Sequence, residues 1–273
     1  MSGLLLIVVF ALIYLGMNGA GTLFLNIFVY KPRKNTDTNA FFYSHREELV
    51  NVYQPVIEGK IPYFDQLPGN LKLKFLSRIP YFLRDKTFIG KEGLEVTFEM
   101  KVLIASSAIQ LTLGLENFIF EKFHTIIIYP QKYYSRITEL FHIGEARPGG
   151  CLVFSWADFL KGYQIGHDTY NVGLHEMAHA LELDTRSGNL YDDAFGANYD
   201  RWQKLSRFEY NNMQDDSDHF LREYAGTNLA EFFAVCVEHF FEASEEFKKE
   251  MPELYELLAH LLNQDPAVGV VGK

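Results

Sequence analysis

Ten consecutive residues, Val172 to Leu181, constrain this chain more than any other stretch. Seven are apolar or small, and the three that are not are His175, Glu176 and His179. A helix that is apolar on all sides is normally buried. Buried polar groups cost free energy unless they find partners. Residues four apart on a helix lie about 40° apart around the axis and one turn apart along it, so both imidazoles can reach one point. Glu176 projects to the side of that point. The whole polar content of the run is therefore a set that one metal ion and one water would satisfy.

The spacing is H-E-x-x-H, in which two histidines hold zinc and the glutamate serves as general base toward a water. A catalytic zinc usually has three protein ligands and one open position. The metzincin pattern would need a glycine and a third histidine where this chain has Glu182 and Thr185, so the third ligand is expected from a later helix. In Leu229–Val237 (LAEFFAVCV) Glu231 is the only charged residue. Two other readings stand beside it. Asn228 and Glu231 have the spacing of a helix capping box. Glu182 lies close to one turn past His179, where a carboxylate more often orients a ligand histidine. A structural zinc site would need a fourth ligand, with Cys236 as the nearby thiol.

The chain has 273 residues and 48% hydrophobic content, enough for one good-sized domain with a real core. A net charge of −10 argues against a direct nucleic-acid binder. Two cysteines, Cys151 and Cys236, build no disulfide framework. The acidic residues Asp192, Asp193, Asp215, Asp216 and Asp218 lack the order of an EF-hand and read as a solvated loop. From Ser2 to Tyr30 there is no charged side chain, a run long enough to cross a bilayer. Lys31, Arg33 and Lys34 follow it and predict that this flank stays in the cytoplasm. Residues 1–30 are thus expected to be a single-pass anchor in the cytoplasmic membrane, inserted through residues 4–30, with the remaining chain in the cytosol. A cleaved signal peptide is the rival reading, without the basic opening such a peptide carries.

Residues 31–40 read as a polar linker and 41–267 as the main domain. Helical spacing runs from Asn70 to Leu83, broken by Pro80, and from Glu99 to Leu113. His124–Tyr129 and Cys151–Phe154 read as short buried strands. Helices are expected at about 168–183, 197–211, 229–243 and 252–263. Mixed helices with a small sheet, then mostly helices, predict an α+β domain. The strand at Cys151–Phe154 is expected to be the edge on which an extended peptide aligns.

The motifs HEMAHALE (175–182) and YAGTNLAEFFAV (224–235) resemble those of the zinc peptidases typified by Mlc titration factor A. GGCLVFSWADF (149–159), Gly166-His167 and NQDP (263–266) add to the likeness, which spans about residues 40–266. The resemblance implies a zincin-like, gluzincin-type metallopeptidase domain with a small mixed sheet and an active-site helix, similar to the catalytic domain of anthrax lethal factor. It implies a zinc ion held by His175, His179 and Glu231, and catalytic roles for Glu176 and Tyr224. Without the resemblance Tyr224, a tyrosine ahead of a helix, reads as a packing or interface residue. The expected activity is hydrolysis of a peptide or protein substrate. The alternative is a membrane-tethered binding module that sequesters a regulatory protein such as a transcriptional repressor.

Overall fold

The computed structural model describes residues 38–271, apart from Ile137, His167, Leu190 and residues 215–218. The expected anchor over residues 1–30 lies outside the described residues, as does most of the 31–40 linker, whose last residues from Thr38 open the first helix. Among the described residues no helix is long and apolar enough to cross a membrane. Residues 41–273 form one compact unit.

Four helices lead in: α1 (Thr38–Val52), α2 (Gln54–Ile57), α3 (Pro62–Gln66) and α4 (Gly69–Asp85). Strand β1 (Thr87–Gly90), helix α5 (Phe98–Thr112) and strand β2 (Thr125–Tyr129) form a crossover unit, with β1 and β2 parallel. A hairpin of β3 (Tyr133–Ser135) and β4 (Leu140–His142) follows. Next come β5 (Gly144–Arg147), β6 (Cys151–Ser155), α6 (Trp156–Gln164), α7 (Val172–Arg186) and α8 (Asp193–Gln214). The chain closes with a 3-10 turn (Glu223–Gly226), α9 (Leu229–Glu242), α10 (Ser244–Glu250), α11 (Pro252–Leu262) and a small pair, β7 (Gln264–Asp265) and β8 (Val270–Val271). The architecture is α+β with a small mixed sheet.

The main sheet has the order β1-β2-β6-β5. This corrects the sequence reading of Cys151–Phe154 as an edge. Strand β6 pairs with β2 on one side and β5 on the other, and Leu152 to Ser155 are all buried, as befits a central strand. The edge on the β6 side is β5, whose residues are all half-buried. The short, polar GEAR segment carries no β-branched or alternating signal, so sequence pattern passes over it. The expected break at Pro80 also needs correcting, because α4 runs through it to Asp85.

Helix α5 is the centre of the core and is buried almost along its whole length. Its polar side chains are satisfied internally, with the Ser106 and Thr112 hydroxyls donating to the carbonyls of Val102 and Ala108. Arg78 of α4, buried, donates to the carbonyls of Thr112 and Leu115 at 2.7 and 2.6 Å and so closes the end of α5. Just beyond, Gly114 meets the end of α11 so closely that a Cβ would stand 2.2 Å from the Asn263 carbonyl oxygen. That neighbour is backbone and cannot swing aside. Gly114→Ala is expected to cost about 1–3 kcal/mol, as overpacking does, lowering Tm by several degrees; an unchanged thermal midpoint would refute this account of the α5–α11 junction.

Candidate metal centre

Helix α7 begins where Asn171 caps it. The Asn171 side-chain oxygen accepts from the Leu174 amide at 3.0 Å, and its amide nitrogen donates to Glu242 at 2.9 Å. Gly173 brings α7 against α5 and α6, since a Cβ there would lie 2.6 Å from Ser107 Oγ and 2.8 Å from the Phe159 ring. The first turn of α7 is thereby held between neighbours, and His175 follows directly.

The structure brings His175, His179 and Glu231 together. His175 Nε2 lies 3.0 Å from Glu231 Oε2 and 3.1 Å from His179 Nε2, and His179 Nε2 lies 3.3 Å from the same carboxylate oxygen. Ligand atoms at about 2.0–2.1 Å from a tetrahedral zinc stand about 3.3–3.4 Å apart. The three atoms therefore have nearly the spacing that one ion requires, and the donor set of two imidazoles and a carboxylate suits it. Among the described residues this is the group able to hold a metal. Glu231 is not in a capping box: Asn228 Oδ1 accepts from the Ala230 and Glu231 amides, while the Glu231 carboxylate turns to the histidines. Glu182 stands apart from the three and pairs with Arg186 at 3.7 Å. Cys236 is fully buried as a free thiol.

Behind the three lies a network that sequence reasoning missed. Glu238, buried, accepts from His175 Nδ1 at 2.9 Å, from the Asn171 amide at 2.8 Å and from the Arg222 guanidinium. It thus orients the imidazole so that Nε2 faces Glu231, the outer-shell role carboxylates play behind ligand histidines. The available signal was the spacing of seven between Glu231 and Glu238, which places both on one face of α9. Arg222 also donates to the Thr169 carbonyl and lies over the Tyr170 ring at 4.3 Å.

The electrostatics follow from this geometry. Burial alone would lower the His175 pKa, but Glu231 and Glu238 overcome it and push it up to about 10. Their pull is the pull they would exert on any cation placed among the three. Burial likewise raises Glu231, yet hydrogen bonds from His175 and His179 outweigh it and hold the carboxyl below its ordinary range. Glu176 is buried, its pKa raised by desolvation, and its Oε2 has no hydrogen-bond partner. It packs on the sheet edge, where a Cβ on Gly144 would stand 2.5 Å from Oε1. Tyr224 lies on the 3-10 turn, half exposed, with its ring centre 5.9 Å from that of His175. Burial and then Glu231 push its hydroxyl up to about 12. A buried acceptor without a partner, beside two imidazoles and a tyrosine hydroxyl, is equipped to take a proton from a small molecule at this point.

Comparison with known proteins agrees with this arrangement. The family model for glucose-regulated metallo-peptidase M90 matches residues 33–262. An uncharacterized protein of Synechocystis sp. is 28% identical over 233 residues, covering 79% of this chain and 85% of its own. Mlc titration factor A of Klebsiella pneumoniae subsp. pneumoniae is 29% identical over 231 residues, covering 76% and 84%. The protein of that name from Escherichia coli is 27% identical over 231 residues, with the same coverage. With the model matching most of its length, this chain belongs to the glucose-regulated metallo-peptidase M90 family.

Proposed function

We propose that this protein is a zinc-dependent peptidase, with His175, His179 and Glu231 as metal ligands and Glu176 as general base. The observation that carries the reading is the convergence of the three ligand atoms beside a buried, unpartnered carboxylate oxygen. Zinc would supply Lewis acidity, lowering the pKa of a water to near neutrality and polarising the peptide carbonyl. Glu176 takes the proton as water adds to the carbonyl carbon, then passes it to the amine nitrogen as the C–N bond breaks. Tyr224 donates to the developing oxyanion, a role whose loss typically costs about 10²–10³ in rate. Glu238 holds His175 in the tautomer that presents Nε2.

The substrate aligns on β5. The Ser155 amide bonds the Ile143 carbonyl, so Ile143, Glu145 and Arg147 are the residues bonded to β6. By alternation Gly144 and Ala146 turn their N–H and C=O groups to the free edge. An extended peptide adds there as a further strand, next to Glu176. A second reading rests on the relatives named Mlc titration factor A: capture of a regulatory protein, with hydrolysis secondary. In either case the apolar segment 4–30 and its flanking Lys31, Arg33 and Lys34 would tether the domain to the cytosolic face of a membrane.

Glu176→Gln is expected to keep about one zinc per chain and to lose hydrolysis of a peptide library that the wild type cleaves. Zinc bound by both with no cleavage by either would favour the capture reading, and zinc bound by neither would overturn the metal assignment. Glu238→Gln should weaken zinc binding about 10–100-fold with the fold intact, checked by chelator competition. Gly144→Ala should keep zinc and lower kcat, because the new Cβ displaces the Glu176 carboxylate; an unaltered rate would remove β5 from the account.

A further inference from the structure

Strand β5 carries two charges, Glu145 and Arg147, two residues apart and so on one face of the sheet. A Cβ on Gly144 would meet the Glu176 carboxylate, so Gly144 and Ala146 face α7 and the two charges face the other way. They are held in place there. Arg147 Nη2 donates to Glu145 Oε2 at 2.8 Å, and the hydroxyl of Tyr133, buried in β3, donates to the same oxygen at 3.1 Å. Both side chains stay partly open to solvent. Their bonding capacity is not used up. Among the described residues Glu145 Oε1 takes no hydrogen bond, and the buried Nε of Arg147 has no partner. Each side chain can therefore engage a further charge.

The backbone of β5 decides what would lie opposite them. Glu145 and Arg147 bond to Val153 and Cys151 of β6, and Gly144 and Ala146 turn their groups outward. An extended chain added antiparallel to this edge, the slightly more stable arrangement, bonds to Gly144 and Ala146. It then faces Glu145 and Arg147 in non-hydrogen-bonded pairs, where opposing side chains share a face and stand closest. Gly144 lies against Glu176, which sets the register relative to the chemistry. The added residue opposite Gly144 sits at the general base, the one before it faces Glu145, and the one three before it faces Arg147. A basic residue opposite Glu145 and an acidic one opposite Arg147 complete a square of four charges. Every neighbour in that square, along and across the strands, is of opposite sign.

We propose that Glu145 and Arg147 are specificity-determining residues that select the substrate by charge: a basic side chain just before the residue at Gly144, and an acidic one two positions earlier. This rests on the peptidase reading with β5 as the substrate edge, so the test has a binding arm that needs no turnover. The full-length, zinc-loaded Glu176→Gln chain is titrated by fluorescence anisotropy with a labelled extended peptide rich in threonine and valine. One form carries glutamate two residues before lysine, and the other has the two exchanged. The first should bind at least about fivefold tighter, because opposite charges across a strand pair stabilise it and like charges directly opposite destabilise it. Glu145→Arg combined with Arg147→Glu keeps an ion pair on β5 and should reverse the order. Glu145→Gln combined with Arg147→Gln, the milder change, should bring the ratio below about twofold where the first variant does not fold. In parallel, wild-type cleavage of a peptide library should place the base and the acid at this spacing on the N-terminal side of the cut. Equal affinity for the two peptides, or an order that survives these substitutions, overturns charge selection. Cleavage with no charge preference on that side of the bond overturns it too, and leaves the peptidase reading standing. An order that the charge exchange reverses, in a wild type that cleaves nothing, upholds charge selection at the edge and overturns the peptidase reading instead.

Discussion

The contact between α7 and α9 carries the rest of this structure. Helix α7 presents His175 and His179 inside an apolar run, and α9 answers with Glu231 and Glu238, one on each nitrogen of His175. Neither helix could bury its polar groups alone without a desolvation penalty of several kcal/mol for each charge. Together they turn that penalty into a specific register, because only one rotation of α9 sets residues seven apart against both sides of one imidazole. The Asn171 cap joins the same network through its backbone amide and side chain, so the start of α7 and the orientation of its first histidine are specified together. Arg222 extends the network to the 3-10 turn carrying Tyr224, tying that half-exposed residue to the buried side of the site.

A second constraint is the close approach of the sheet edge to Glu176. Gly144 has no room for a side chain, and the missing Cβ is what lets the carboxylate lie against backbone at the open edge of β5. In the proposed reaction, chemistry and recognition would meet at one residue: Gly144 would offer outward backbone groups to a chain added at the edge, while its Cα surface supports the Glu176 carboxylate. Core packing holds this in place from behind, with α5 wedged under α7 at Gly173 and sealed at its end by Arg78 and Gly114.

Much of this was legible in the sequence, and for reasons that can be named. The α7 helix declared itself through three polar residues in an apolar run, and Glu231 through being the lone charge at the start of another. In both, local pattern and tertiary role coincide. Glu238 escaped because its partner is 63 residues away and the charge sits near the end of α9, where an acid looks solvent-facing; only the seven-residue interval pointed inward. The edge strand escaped because β5 is four residues long and contains glycine and two charges. Its strand character comes from pairing with β6, a long-range fact that no window of sequence holds. Pro80 misled in the opposite sense: helix propensity says stop, but α4 is clamped by buried contacts on either side of it, and packing overrides a single missing hydrogen bond.

Charge accounting leads to the same occupant as geometry does. Three carboxylates, from Glu176, Glu231 and Glu238, converge on a poorly solvated region, and Arg222 is the cation bonded within it. Glu182 is matched by Arg186 outside this group, and burial keeps the Glu242 carboxyl raised to about 8, so neither adds a charge near neutral pH. Glu231 and Glu238 against Arg222 leave one negative charge among two imidazoles, and Glu176, whose pKa desolvation raises, adds a second only when ionised. Buried charge persists only when paired or coordinated. With no metal bound, a proton on His175 answers this demand, as its raised pKa indicates. A protonated imidazole gives up the lone pair that points toward the other two groups, whereas a metal cation would supply positive charge and keep every lone pair engaged. The network that is costly without a cation is therefore one that a bound metal ion would complete.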